Sequence, residues 1–153
     1  MLVIFKGEAL ELREPENGEL VSRYATTTRD FCNCATPMIF GGDTIIISHT
    51  GKSGTRGMQF DGSAIKERWD LEGHGLLFHS GTPFSGKLIA FNDESRNENT
   101  LKLIDPDNGN IIWKSDDFPK GNLIVCDDGT ALVLGKNGEL VAARVSSEGV
   151  KPL

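Results

Sequence analysis

Leu101-Lys102-Leu103-Ile104-Asp105-Pro106-Asp107-Asn108-Gly109-Asn110-Ile111-Ile112-Trp113-Lys114 reads as two strands joined by a tight turn. Pro106 presets a turn dihedral, Asn108 and Gly109 tolerate positive φ, and β-branched and aromatic residues follow. An antiparallel hairpin is predicted. The same pattern stands at Leu10-Glu11-Leu12-Arg13-Glu14-Pro15-Glu16-Asn17-Gly18-Glu19-Leu20-Val21. There Pro15, Asn17 and Gly18 match Pro106, Asn108 and Gly109 at a single offset of 91 residues. Met58-Gln59-Phe60-Asp61-Gly62-Ser63-Ala64-Ile65 is a weaker copy, and Gly138-Glu139-Leu140-Val141-Ala142-Ala143 opens a fourth.

A second series confirms the period. Gly42-Asp43-Thr44-Ile45, Gly86-Lys87-Leu88-Ile89 and Gly129-Thr130-Ala131-Leu132 recur at intervals of 44 and 43 residues. Apolar residues come in short runs separated by Gly, Asn, Asp and Pro, so the chain is expected to be all-β. A period near ~40 to 45 residues with strands in each unit is the pattern of a propeller blade. In phase, each unit holds an outer-loop strand, a glycine-led strand, a hairpin strand and a return strand. Unit two is predicted at Ala35–Phe40, Thr44–Ser48, Arg56–Phe60 and Ala64–Asp70. Unit three is predicted at Leu76–Phe84, Lys87–Asn92, Thr100–Ile104 and Asn110–Ser115. Unit four has Gly121–Cys126, Thr130–Leu134, Glu139–Val145 and a terminal stub, and unit one, from Leu2, lacks its first strand. The fold expectation is a propeller-type array of about three and a half four-stranded antiparallel blades, an incomplete ring. It occupies residues 1–153, with blades near 1–30, 31–73, 74–117 and 118–153.

A chain of 153 residues with a formal charge of −6 can bury one ordinary core and has no excess of basic residues for a phosphate backbone. Nucleic acid is not an expected partner. No apolar run approaches the ~18 residues of a membrane span, and Met1-Leu2-Val3-Ile4-Phe5-Lys6 lacks the features of an export signal. Cys32, Cys34 and Cys126 are an odd number, a poor disulfide framework. Cys32-Asn33-Cys34 offers half a zinc site at best, so these read as ordinary small side chains.

Leu103-Ile104-Asp105-Pro106-Asp107-Asn108-Gly109-Asn110-Ile111-Ile112-Trp113 resembles the Leu-Asp-x-x-Thr-Gly-x-x-x-Trp signature of the PQQ-like repeat propellers, a WD40-like group. Asn108 stands in the threonine position. Lys120-Gly121-Asn122-Leu123-Ile124, Asp128-Gly129 and Asn137-Gly138-Glu139-Leu140 are similar to late blades of bacterial members. The resemblance implies that the signature tryptophan docks between neighbouring blades, which gives Trp113, Gly109 and, seven residues after Gly62, Trp69 as structural blade-docking candidates. Ser22 stands four residues after Gly18, so docking in unit one is expected to rest on Leu20, Val21 and Tyr24. Family rings close with seven or eight blades, so the resemblance further implies a segment of a larger propeller. Its partners would be protein or additional blades, including self-association, and its location extracytoplasmic, periplasmic or secreted.

Candidate chemistry is sparse. The family's quinone enzymes hold their cofactor with adjacent cysteines and an acidic calcium site, and neither pattern is present, so no cofactor, metal or catalytic residue is assigned. Asp105-Pro106-Asp107-Asn108-Gly109 resembles a calcium loop, but its glycine is fifth and its twelfth position is Asp116, so a turn is expected. Gly51-Lys52-Ser53 lacks the earlier glycine of a phosphate loop, Ile46 standing in its place. His74 and His79 could share a metal, but His74 reads as part of a solvated loop. The polar run from Asn92 to Thr100 reads as a solvated loop interrupting unit three. The expected function is a non-catalytic interaction scaffold; the alternative is a segment of a quinoprotein dehydrogenase whose active-site residues lie in other blades.

Overall fold

The computed structural model describes residues 1–27, 33–49, 54–76, 79–92 and 100–153. Cys32, Gly51-Lys52-Ser53 and residues 93–99 of the polar run lie outside them. Fifteen strands form four antiparallel sheets, with no helix among the described residues. Sheet 1 holds β1 (Leu2–Lys6), β2 (Ala9–Arg13) and β3 (Leu20–Ala25). Sheet 2 holds β4 (Met38–Phe40), β5 (Thr44–Ser48), β6 (Thr55–Phe60) and β7 (Ile65–Leu71). Sheet 3 holds β8 (Thr82–Phe84), β9 (Lys87–Phe91), β10 (Leu101–Ile104) and β11 (Ile111–Ser115). Sheet 4 holds β12 (Gly121–Val125), β13 (Thr130–Gly135), β14 (Leu140–Ser146) and β15 (Gly149–Pro152). In every sheet the strands lie in chain order. The four sheets make a propeller-type array.

Three details differ from the sequence reading. The terminal stub pairs as a full fourth strand, with Val145 opposite Val150 and Ala143 opposite Pro152, so only unit one is short. The first strands of units two and three are three residues each, edge strands with Pro37 just before one and Pro83 within the other. The strand period is also more regular than the glycines suggest. Phe40 pairs with Thr44 across a three-residue turn, and Phe84 with Lys87 across a two-residue turn. Thr44, Lys87 and Thr130 are therefore the equivalent strand starts, 43 residues apart in both steps. Asp43, standing between Gly42 and the strand start, accounts for the interval of 44.

That phase sorts the core. Strand side chains alternate between faces, so a solid apolar strand serves two interfaces at once. Ile45 and Ile47 pack toward Leu10 and Leu12 of sheet 1, whereas Ile46 packs toward Leu88 and Ala90 of sheet 3. Ile89 and Phe91, on the opposite face of β9, pack against Leu123, Ala131, Val133, Ala143 and Val145 of sheet 4. Each junction thus has its own dry cluster.

Candidate interaction surfaces

The turn that decided the fold is built the same way in both copies. Gly109 N–H donates to the Asp105 carbonyl and Gly18 N–H to that of Glu14, at 2.8 and 2.9 Å. Asn108 Oδ1 accepts from Asn110 N–H, and Asn17 Oδ1 from Glu19 N–H, both at 2.9 Å. Gly109 holds φ of 75° and Gly18 of 73°, a region that glycine enters without steric cost. The calcium-like oxygens are consumed locally. Asp105 Oδ1 accepts from Asp107 N–H at 2.9 Å and Oδ2 binds Lys87 Nζ at 3.0 Å. The Asp107 amide, followed by Lys87, holds the Asp105 carboxyl below its ordinary range.

The return strands of sheets 1, 2 and 3 each carry a bulge that aims one side chain at the next sheet. The registers skip Val21, Arg68 and Ile112, and the residues that follow are Ser22, Trp69 and Trp113. A bulge inserts one residue and re-aims its neighbours. Trp69 Nε1–H donates to the Pro106 carbonyl at 2.9 Å, and Trp113 Nε1–H to the Ser146 carbonyl at 3.0 Å. Ser22 Oγ accepts from Ile65 N–H at 3.1 Å, and Tyr24 Oη–H donates to Glu67 at 2.9 Å. Unit one therefore meets sheet 2 through Ser22, Val21 and Tyr24, while Leu20 is exposed rather than packed there.

Gly109 meets Trp69 of the preceding sheet rather than Trp113 of its own. A Cβ on Gly109 would stand 2.7 Å from the Trp69 ring, and a Cβ on Gly57 2.2 Å from its other side. Trp69 is held between two glycines. Its spacing of seven from Gly62, against four for Trp113 from Gly109, arises because its hairpin has three cross-strand pairs before the bulge against one, and its first pair stands one residue further from the glycine. Trp113 packs at the edge of the cluster between sheets 3 and 4. Because it is only half-buried, Trp113→Ala is expected to cost about 2 kcal/mol, below the range for a fully buried tryptophan. Urea unfolding reads this directly, and a cost near zero would remove Trp113 from the junction.

A buried polar belt lies where β5 and β9 end. Ser48 Oγ and Thr55 Oγ1 are 2.9 Å apart, Thr55 Oγ1–H donates to the His74 carbonyl at 2.6 Å, and Leu76 N–H donates to Ser48 Oγ at 2.7 Å. His74 is thus a buried part of this network, not of a solvated loop. Asn92 takes the Gly75 amide at 3.2 Å and donates to the Gly73 carbonyl at 3.1 Å, pinning the connection between sheets 2 and 3. His49 holds the equivalent place one unit earlier and reaches Thr26 Oγ1 with Nε2 at 3.3 Å. Among the described residues no three His, Cys, Asp or Glu side chains gather as metal ligands, and Cys34 and Cys126 are exposed.

The two outer faces of the array differ in chemistry. On sheet 1, Glu11 is only 3% exposed and lies under Lys6, Arg13 and Arg23. The Lys6 hydrogen bond, then Arg13, holds its carboxyl below the ordinary range against the cost of desolvation. Leu2, Ile4 and Leu20 flank this cluster and are exposed. On sheet 4 the outer face is apolar at its centre: Ile124, Leu132, Leu134 and Leu140 are 62, 40, 50 and 68% exposed. Register places Ile124 beside Leu132, and Leu134 between Asn122 and Leu140.

These sheets define a β-propeller-type array. No protein-family profile and no curated protein matches the sequence. Among solved structures, the fold is similar to BamB from Moraxella catarrhalis, with a TM-score of 0.62 at 15% identity over the whole of this chain. The chain spans 46% of that BamB chain.

Proposed function

We propose that the chain is a non-catalytic propeller segment of the PQQ-like type, one domain over residues 1–153, that acts as an interaction scaffold through its sheet faces. The observation that carries this reading is the outer face of sheet 4. Leu132 and Leu134 hold the strand positions that Ile89 and Phe91 hold one unit earlier, and those two are buried against a neighbouring sheet. A contiguous exposed apolar patch of this kind marks an interaction site. Trp69, Trp113 and Gly109 act in this reading as the docking contacts that keep the array rigid. The likeness to BamB supports the architecture, and a partner for this chain is inferred from its own faces.

The test is calorimetric titration of the purified chain with pyrroloquinoline quinone in the presence of calcium, alongside a dye-linked alcohol oxidation assay. No saturable uptake and no turnover are expected. Stoichiometric quinone binding would overturn the scaffold reading in favour of a quinoprotein segment.

A further inference from the structure

We propose that the cleft between sheets 3 and 4, at the end where their hairpins turn, docks an extended segment of a partner protein that carries one bulky apolar side chain beside lysine or arginine. This rests on the scaffold reading and names the partner's chemistry. The cleft has a volume of about 350 Å³ and is lined by Phe84, Ser85, Lys87, Leu103, Ile112 and Ser147. Register explains the opening. Leu103 stands opposite Trp113, where Gly57 stands opposite Trp69. A Cβ on Gly57 would stand 2.2 Å from the Trp69 ring; Leu103 has that Cβ, so Trp113 cannot lie against its strand in the same way. The bulge leaves Ile112 out of the ladder and 43% exposed at the cleft, where unit two holds the charged Arg68. Across the cleft, Ser85 holds φ of 47°, the one residue other than glycine in the left-handed region among the described residues. Strain of this kind gathers at ligand contacts.

Charge selects the occupant. Glu148 follows Ser147, Asp107 N–H donates to the same Asp105 that binds Lys87, and the turn of Asp127 reaches the cleft through Gly129, where a Cβ would stand 3.6 Å from Phe84. Asp107, Asp127 and Glu148 are exposed and have no ion-pair partner among the described residues. The cations nearby are already engaged, Lys87 by Asp105 at 3.0 Å and Arg144 by Asp128 at 3.5 Å. Surplus negative charge around an apolar cleft fits a basic segment with an apolar anchor. The buried anchor supplies affinity, and the charges steer encounter and set orientation.

Fluorescence anisotropy tests this with three labelled peptides: Arg-Lys-Phe-Lys-Arg, the same with glycine for phenylalanine, and Glu-Glu-Phe-Glu-Glu. The first is expected to bind saturably with a dissociation constant below about 1 mM. The other two should bind at least about tenfold more weakly. Ile112→Lys should weaken the first peptide by about tenfold or more, and Glu148→Lys should weaken it and flatten its salt dependence. Both side chains are exposed, so far-UV circular dichroism should be unchanged. Leu132→Asn, on the outer face of sheet 4, should leave binding as it is. No saturable binding of the first peptide would overturn the proposal. So would equal binding of the glycine peptide, which is attraction by charge alone, or of the glutamate peptide, which is apolar contact without charge. Binding that survives Ile112→Lys, or is lost with Leu132→Asn, would overturn it by placing the contact elsewhere. Quinone uptake overturns the scaffold reading whatever the peptides do; peptides that fail to bind a chain that takes up no quinone remove the cleft and leave that reading.

Discussion

Trp69→Ala is expected to lower the free energy of unfolding by about 3 kcal/mol, the low end for a large aromatic in a core. The low end applies because the ring is half-buried. Its loss empties the slot between Gly57 and Gly109 and removes the donor from the Pro106 carbonyl. Trp69→Phe keeps most of the packing and loses the hydrogen bond, for which about 1 kcal/mol is expected. Gly57→Ala tests the slot from the other side. A Cβ there would sit 2.2 Å from the ring, and Gly109 blocks the ring's retreat. Overpacking of this kind costs about 2 kcal/mol. The same substitution should be nearly free once Trp69 is alanine, so the double variant should show coupling above about 1 kcal/mol. Urea midpoints of the four proteins check this, and additive costs would show that the glycines do not hold the ring.

Mild acid is expected to destabilise the protein through His49. The ring is buried, packed edge-on to Phe5 at 5.1 Å, and Nδ1 has no hydrogen-bond partner among the described residues. Burial, with Arg56 nearby, pushes its pKa down from 6.5 to about 4, and Glu67 opposes this in part. The unfolded chain therefore binds more protons than the folded one between these values. The contribution of neutral His49 is whole above pH 6.5 and is lost as pH falls toward 4. Between pH 7 and pH 5 the expected loss is about 1.5 kcal/mol. His49→Asn, which installs the residue that the next unit uses at Asn92, should flatten stability across that window. An unchanged pH dependence in the variant would assign the acid sensitivity to other groups.

The hairpin at Leu101–Lys114 and its copy 91 residues earlier were legible because turns are local: a proline, an asparagine and a glycine at fixed offsets define the bonds that the structure shows. Trp69 was less legible. Its spacing from Gly62 departs from the pattern, and only the strand register shows that Trp69, Trp113 and Ser22 all follow a bulge. His74 was misread for a related reason. Glu72-Gly73-His74-Gly75 has the composition of a solvated loop, yet Ser48 and Thr55, distant in sequence, bury it.

The sequence by itself determined the all-β class, the near-constant period and the missing first strand of unit one, because turn chemistry and side-chain alternation act over a few residues. It could not show which apolar strands were covered. Ile89-Ala90-Phe91 and Leu132-Val133-Leu134 read alike, yet Phe91 is fully buried and Leu134 half exposed. Only the tertiary structure decided that, since burial depends on whether another sheet follows. It also set Glu11, one of many acidic residues along the chain, beneath three cations on one outer face and left the other face apolar. That asymmetry comes from sheet pairing, which joins residues that no local pattern connects.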